Sequence, residues 1–228
     1  MVSFGALSIL LTPVYGVDQG DEAAEWFSKY LDVNIRLFVK HPSFRRPFKA
    51  DHSPASYLFD YTPQTGFADG FPFLILSEES VDAFVKNSFT PNEAKSVSYK
   101  NFRPNIVLKG CAPFEEEGWL HIKISKNISF YSFLMNARCT RCEMTNIDPG
   151  IGRIPSNSTT TTLKELMKTR RVDKGAKYEA CMGVNASSTS VDFEIRINDE
   201  VKVLKTATHD RRGIWNDGDM NLIKRYIE

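Results

Sequence analysis

Two β-type runs lie almost end to end in the middle of the chain. Residues 119–124, WLHIKI, alternate apolar and polar, and a longer run over 128–136 follows. A period of two sends successive side chains to opposite faces, so the first run predicts a strand with one buried face. Together they predict consecutive strands of a barrel or sandwich. The second run leads into 137–152, ARCTRCEMTNIDPGIG, which holds Cys139, Cys142, Arg138, Arg141 and a turn at Asp148-Pro149-Gly150. A cation beside a thiol favours the thiolate, the form that binds metals or attacks electrophiles. Cys142, directly after Arg141, is therefore the candidate reactive residue.

The rest of the chain frames that thiol. With 228 residues and 42% hydrophobic side chains, it can bury a core as one large domain or two small ones, and disorder is excluded. A net charge of +1 offers no electrostatic case for a polyanion, so no nucleic acid partner is expected. Cysteines at 111, 139, 142 and 181 are too sparse for a disulfide framework and point to a reducing, intracellular setting. The apolar stretch 4–11 has no basic residue before it and is cut by Pro13. It reads as a strand rather than a leader or a spanning helix, which needs about 20 residues, and no transmembrane segment is expected elsewhere.

In order, 18–31 predicts a helix with Asp21 and Glu22 near its start and Ala23, Trp26, Phe27 and Tyr30 as its apolar face. A strand is expected over 34–39. The loop 41–49 carries Arg45, Arg46 and Lys49, which could take an anion but read as a solvated surface. Residues 73–76 predict a central strand, then a helix to about residue 86 capped by Ser77. Residues 87–100 read as a polar connection. Pro104 biases Arg103 toward an extended backbone ahead of a strand at 106–108. A short helix is expected at 163–167, capped by Thr159 or Thr160. A hairpin is expected to join 191–197 to 201–204 through Asn198-Asp199. The charged tail ends in residues of helical character.

Cys139 and Cys142 form C-x-x-C, which alone suggests half a zinc site or a redox dithiol. No second C-x-x-C or close histidine pair accompanies it, and a dithiol of thioredoxin type needs a helix start in a βαβ unit. Cys139 is therefore read as a neighbour thiol and Asp148 as a turn former. For Arg103 the alternative to a binding role is a structural ion pair.

Four features carry a family likeness: N-F-R-P-N-I-V at 101–107, the strand pair opened by Trp119, R-C-x5-D-P-x2-G at 141–152, and N-D-x-V-x-L at 198–204. They resemble the MOSC domain, the module at the C-terminus of molybdenum cofactor sulfurases. The amidoxime-reducing branch is most similar, matched by D-E-A-A-E-W at 21–26 and P-F-L-I-L-S-E at 72–78. The resemblance implies an α+β, predominantly β fold: a MOSC β-barrel over 65–205 with a few peripheral helices, residues 1–64 as a remnant of the N-terminal region, and 206–228 as a tail. It implies a molybdenum–molybdopterin cofactor, with Cys142 as metal ligand and catalytic residue and Arg103, Asn105, Thr140 and Arg141 binding the cofactor. The implied activity is an oxidoreductase acting on N-hydroxylated or similar small substrates, with an electron-transfer protein as possible partner, in the cytosol or mitochondria. Alternatives are a sulfur-carrier or cofactor-handling domain, with the pyridoxal-phosphate domain of the sulfurases supplied in trans, or a cofactor-free fold serving as an interaction module. The branch has an N-terminal segment with further basic contacts ahead of the first helix, and hydroxyl residues where this chain has Gly70 and Phe71. Weak cofactor retention is the resulting expectation.

Overall fold

The computed structural model describes residues 4–9, 12–48, 54–126, 129–156 and 159–209, with backbone alone for 4–12 and 126. They form two compact units. The smaller takes residues up to 48 together with 64–70, and the larger takes 49–63 and everything from 71 onward.

In the smaller unit, β1 (Phe4–Ile9), β2 (Thr12–Asp18) and β3 (Phe38–Lys40) make an antiparallel sheet in chain order. The apolar start is thus a strand, while the strand expected over 34–39 shrinks to its last residues. Helix α1 (Asp21–Leu31) follows β2. Arg36 holds its start, donating to Asp18 at 2.6 Å and Asp21 at 2.9 Å. Ala24 is its buried residue. Trp26 and Tyr30, expected to face inward, are exposed and stacked on each other at 5.4 Å. Strand β4 (Arg46–Pro47), inside the 41–49 stretch read as loop, pairs with β5 (Gln64–Thr65). Arg46 donates to the carbonyls of Gly66, Ala68 and Asp69, and Arg45 to those of Pro42 and Phe44. Both forks are spent on backbone, and Lys49 lies outside the described residues.

The larger unit is built on a six-stranded sheet in the order β11-β8-β9-β10-β6-β7. Its members are β6 (Phe73–Ser77), β7 (Ile106–Leu108), β8 (Trp119–Lys126), β9 (Ser129–Thr140), β10 (Cys181–Ser188) and β11 (Glu200–Thr206). All neighbours run antiparallel except β6 and β7. Among the described residues β11 and β7 are free edges, so the sheet is open where a closed barrel was expected. Helices take a larger share too. Besides α2 (Glu78–Ser88), the connection 87–100 folds into α3 (Pro91–Ala94) and α4 (Tyr99–Phe102), and α5 (Thr162–Thr169) follows β9.

The helical face of the sheet buries Leu76, Val81, Phe84, Phe102, Leu166 and Met182. The other buries Ile75, Trp119, Ile122, Phe133, Met135 and Val184. Strand β10 joins the two halves of the sheet, and Gly183 lets it do so. At φ +74°, a Cβ there would sit 2.8 Å from the Ile75 carbonyl oxygen. The bulge shifts the register between Cys181 and Val184, so Met182 and Val184 serve opposite faces.

Ser77 caps α2 as expected, accepting from the Ser80 amide at 3.1 Å. Helix α5 is capped by Thr161, not Thr159 or Thr160. Residues 191–197 form no strand. Phe193 and Ile195 still pack on the core, but β11 takes β8 as its partner. The alternation there records burial without a ladder.

Candidate functional site

Helix α4 is short and closed at both ends. Ser98 caps it, accepting from the Lys100 amide at 3.3 Å, and the Asn101 side chain returns to the Ser98 amide at 2.9 Å. Arg103 ends it in the left-handed region, φ 56° and ψ 48°, its amide bonded to the Lys100 carbonyl. The extended backbone expected before Pro104 is therefore not adopted: the αL stop closes the last turn, and tertiary contacts on Phe102 hold it. The side chain of Arg103 is exposed and forms no ion pair among the described residues. Asn105 then enters the β6–β7 edge. Its amide donates to the Leu74 carbonyl at 2.9 Å, and its side-chain oxygen accepts from the Leu74 amide at 2.8 Å.

The second half comes from the end of β9. Thr140 lies opposite Cys181, and the Arg141 amide reaches the Ala180 carbonyl at 2.8 Å. Cys142 then leaves the sheet as the exposed first turn residue of a 3-10 helix, Glu143–Asn146, its carbonyl accepting from the Thr145 amide and hydroxyl. Asp148 behaves as its turn chemistry suggests, accepting from the Gly150 and Gly152 amides.

Two side chains bring the halves together. Arg141 Nη2 donates to the Phe102 carbonyl at 2.6 Å, while Nη1 meets Cys139 Sγ at 3.0 Å. The guanidinium that precedes Cys142 thus turns to Cys139 and to α4. Asn101, buried at 3% exposure, donates to the Ile147 carbonyl at 3.0 Å and the Thr145 carbonyl at 3.4 Å. These contacts bring the turn that carries Arg103 and the segment Arg141–Cys142 to one corner, while Asn105 is tied to Leu74 on β6 and Thr140 lies opposite Cys181 at the end of β9. Asn101 was missed by the sequence reading, although Ser98 three residues ahead of a polar side chain is the spacing of a capping box.

Behind the corner lies a buried charge cluster with no sequence signal. Glu117 Oε2 accepts from Arg170 at 2.6 Å and Arg138 at 3.2 Å, and Arg138 lies 3.6 Å from Asp173. Burial pushes the Glu117 carboxyl up, against the pull of Arg170 and Arg138. It also pushes the neighbouring Cys181 thiol to about 12, leaving it inert. His209, buried beside Arg138, is pushed down to about 4 by burial. All four cysteines are free.

As a donor set, the corner offers an exposed thiol, an unspent guanidinium, a hydroxyl and an amide NH2. No group of three or more His, Cys, Asp or Glu suited to holding a metal ion occurs among the described residues. That chemistry fits a metal whose other ligands are not protein, carried on an anionic sulfur-rich group. A cleft of about 490 Å³ lined by Phe89, Glu93, Thr159 and Lys164 lies elsewhere. No helix among the described residues is long and apolar enough to cross a membrane.

The MOSC domain family model matches residues 62–202. The chain is 36% identical over 152 residues to mitochondrial amidoxime reducing component 2 of Bos taurus, covering 66% of this chain and 42% of that one. It is 32% identical over 151 residues to component 1 of Mus musculus, covering 66% and 41%. Against component 1 of Homo sapiens it is 31% identical over 151 residues, covering 66% and 42%. The match spans less than half the length of these relatives.

Proposed function

Because this chain belongs to the MOSC domain family, we propose that it is a molybdenum-cofactor oxidoreductase, with Cys142 as the protein's thiolate ligand. The names of the relatives support N-hydroxylated nitrogen compounds as substrates and an intracellular, mitochondrial setting. Removal of such a hydroxyl takes two electrons and two protons and releases water, so an electron-transfer protein is the implied partner. When bound, the cofactor would supply the redox change that side chains cannot. The chain's own residues bind and orient. Cys142 presents its sulfur at the open end of β9, Arg103 meets the anionic part with a fork no carboxylate occupies, and Thr140 and Asn105 offer neutral donors. The observation that carries this reading is the Arg141–Phe102 bond, which brings the thiol's segment to the free guanidinium's. With Arg141 spent on protein atoms, occupancy is expected well below one metal per chain.

The test is molybdenum per protein for residues 1–228 made in a host that synthesises the cofactor. Cys142→Ala is expected to abolish the metal, and Cys139→Ala to lower it only partly. Equal loss from both would point to a dithiol or zinc site. No metal in the unsubstituted chain would leave the cofactor-free interaction module as the better reading.

A further inference from the structure

The two strongest contacts across the corner flank Cys142, and both end on the residues just ahead of Arg103. Arg141, immediately before the thiol, holds the carbonyl of Phe102. Asn101 holds the carbonyls of Thr145 and Ile147, after the thiol. Every polar group of the Asn101 side chain is used, the oxygen closing α4 and the NH2 bridging to the Cys142 turn. The two terminal nitrogens of Arg141 are likewise committed, while its Nε is buried without a hydrogen-bond partner. Its guanidinium carbon also lies 5.6 Å from the centre of the Phe102 ring, and that ring is fully buried.

We infer that Asn101 and Arg141 form a two-point latch that fixes Arg103 relative to Cys142, and that Arg141 is a positioning residue rather than an anion contact. The inference deepens the cofactor reading and rests on it for the role of Arg103, while the latch itself is a property of the unloaded protein. An αL residue that is not glycine is held only when its surroundings over-determine it, and the latch supplies that constraint for Arg103. It also explains how an exposed, unpaired arginine keeps a defined backbone.

Two measurements test this. Hydrogen exchange on the purified 1–228 chain reads the latch without any cofactor. Asn101→Ala is expected to speed exchange at the amides of Arg103, Asn105, Thr145 and Ile147 about tenfold or more, a change of about 1.4 kcal/mol, while β8 and β9 keep their protection. Unchanged exchange at those amides overturns the latch. If Asn101→Ala loosens the whole sheet, Arg141→Lys provides the same reading at the same amides. Molybdenum content then separates positioning from charge. Arg141→Lys and Arg141→Gln are expected to lose metal alike, at least tenfold, because neither spans Phe102 and Cys139. Lysine retaining the metal where glutamine loses it would mean that charge suffices, and would make Arg141 an anion contact. Should the unsubstituted chain hold no molybdenum, the cofactor reading fails and exchange alone decides the latch.

Discussion

The same dipeptide occurs twice along one strand end, and the two copies lead different lives. Arg138-Cys139 points its guanidinium into a buried cluster with Glu117 and Asp173, whereas Arg141-Cys142 spends its guanidinium on a carbonyl and a sulfur and leaves its cysteine exposed. Two guanidiniums and two carboxylates balance in the first region. In the second, the polar groups of Arg103 and Cys142 remain unspent. Local sequence is nearly identical, so the difference is made by what packs against each copy: the Glu115–Gly118 3-10 helix and the end of α5 on one side, α4 on the other. The buried region is placed to serve stability, and the open corner is the one we propose for binding. Substitutions should separate the two.

The largest expected effect is Glu117→Ala. Removing one member of a buried ion cluster leaves charge uncompensated and costs about 3–5 kcal/mol, read as a fall in the urea midpoint. A fall of less than about 1 kcal/mol would mean that water already reaches Arg138 and Arg170. Next comes acid. His209 titrates near 4 in the folded chain against about 6.5 when unfolded. Between those values the unfolded chain binds more protons, so stability is lost as pH falls through that window, by up to about 3 kcal/mol. Urea unfolding at pH 7 and pH 4.5 measures it, and His209→Gln should remove its share of the slope but not all of it, since burial also pushes His121 down to about 4. The smallest effect on stability belongs to the open corner. Arg103→Gly relieves an αL residue while loosening the unfolded chain, so the urea midpoint should move by no more than about 1 kcal/mol while molybdenum content falls. A large stability loss from that change would erase the contrast between the regions.

Much of this contrast was hidden in the sequence. The Ser77 cap, the β8–β9 pair and the Asp148 turn were legible because each is set by residues close along the chain. Strand β10 was not: CMGVNASS has no alternation, since it is buried on both faces and interrupted at Gly183. Residues 191–197 misled in the opposite sense, alternating for burial while β11 paired elsewhere. Cys142 and Arg103 were singled out from their motifs, and the structure leaves both exposed. The destination of the Arg141 fork could not be read, because its acceptor lies 39 residues away. The Arg138–Glu117–Arg170 cluster was invisible for the same reason.

The place of β10 in the sheet also sets an order of events. Arg103 and Asn105 belong to the β6–β7 side, Cys142 to the β8–β9 side, and β10 lies between β9 and β6. During synthesis the chain makes the thiol's strand and the guanidinium's helix long before residues 181–188 emerge, and until then no ladder connects them. Loop closure over such separations is slow compared with local hairpin formation. The ladder that joins the two sides of the corner is therefore completed only when β10 takes its place between β9 and β6.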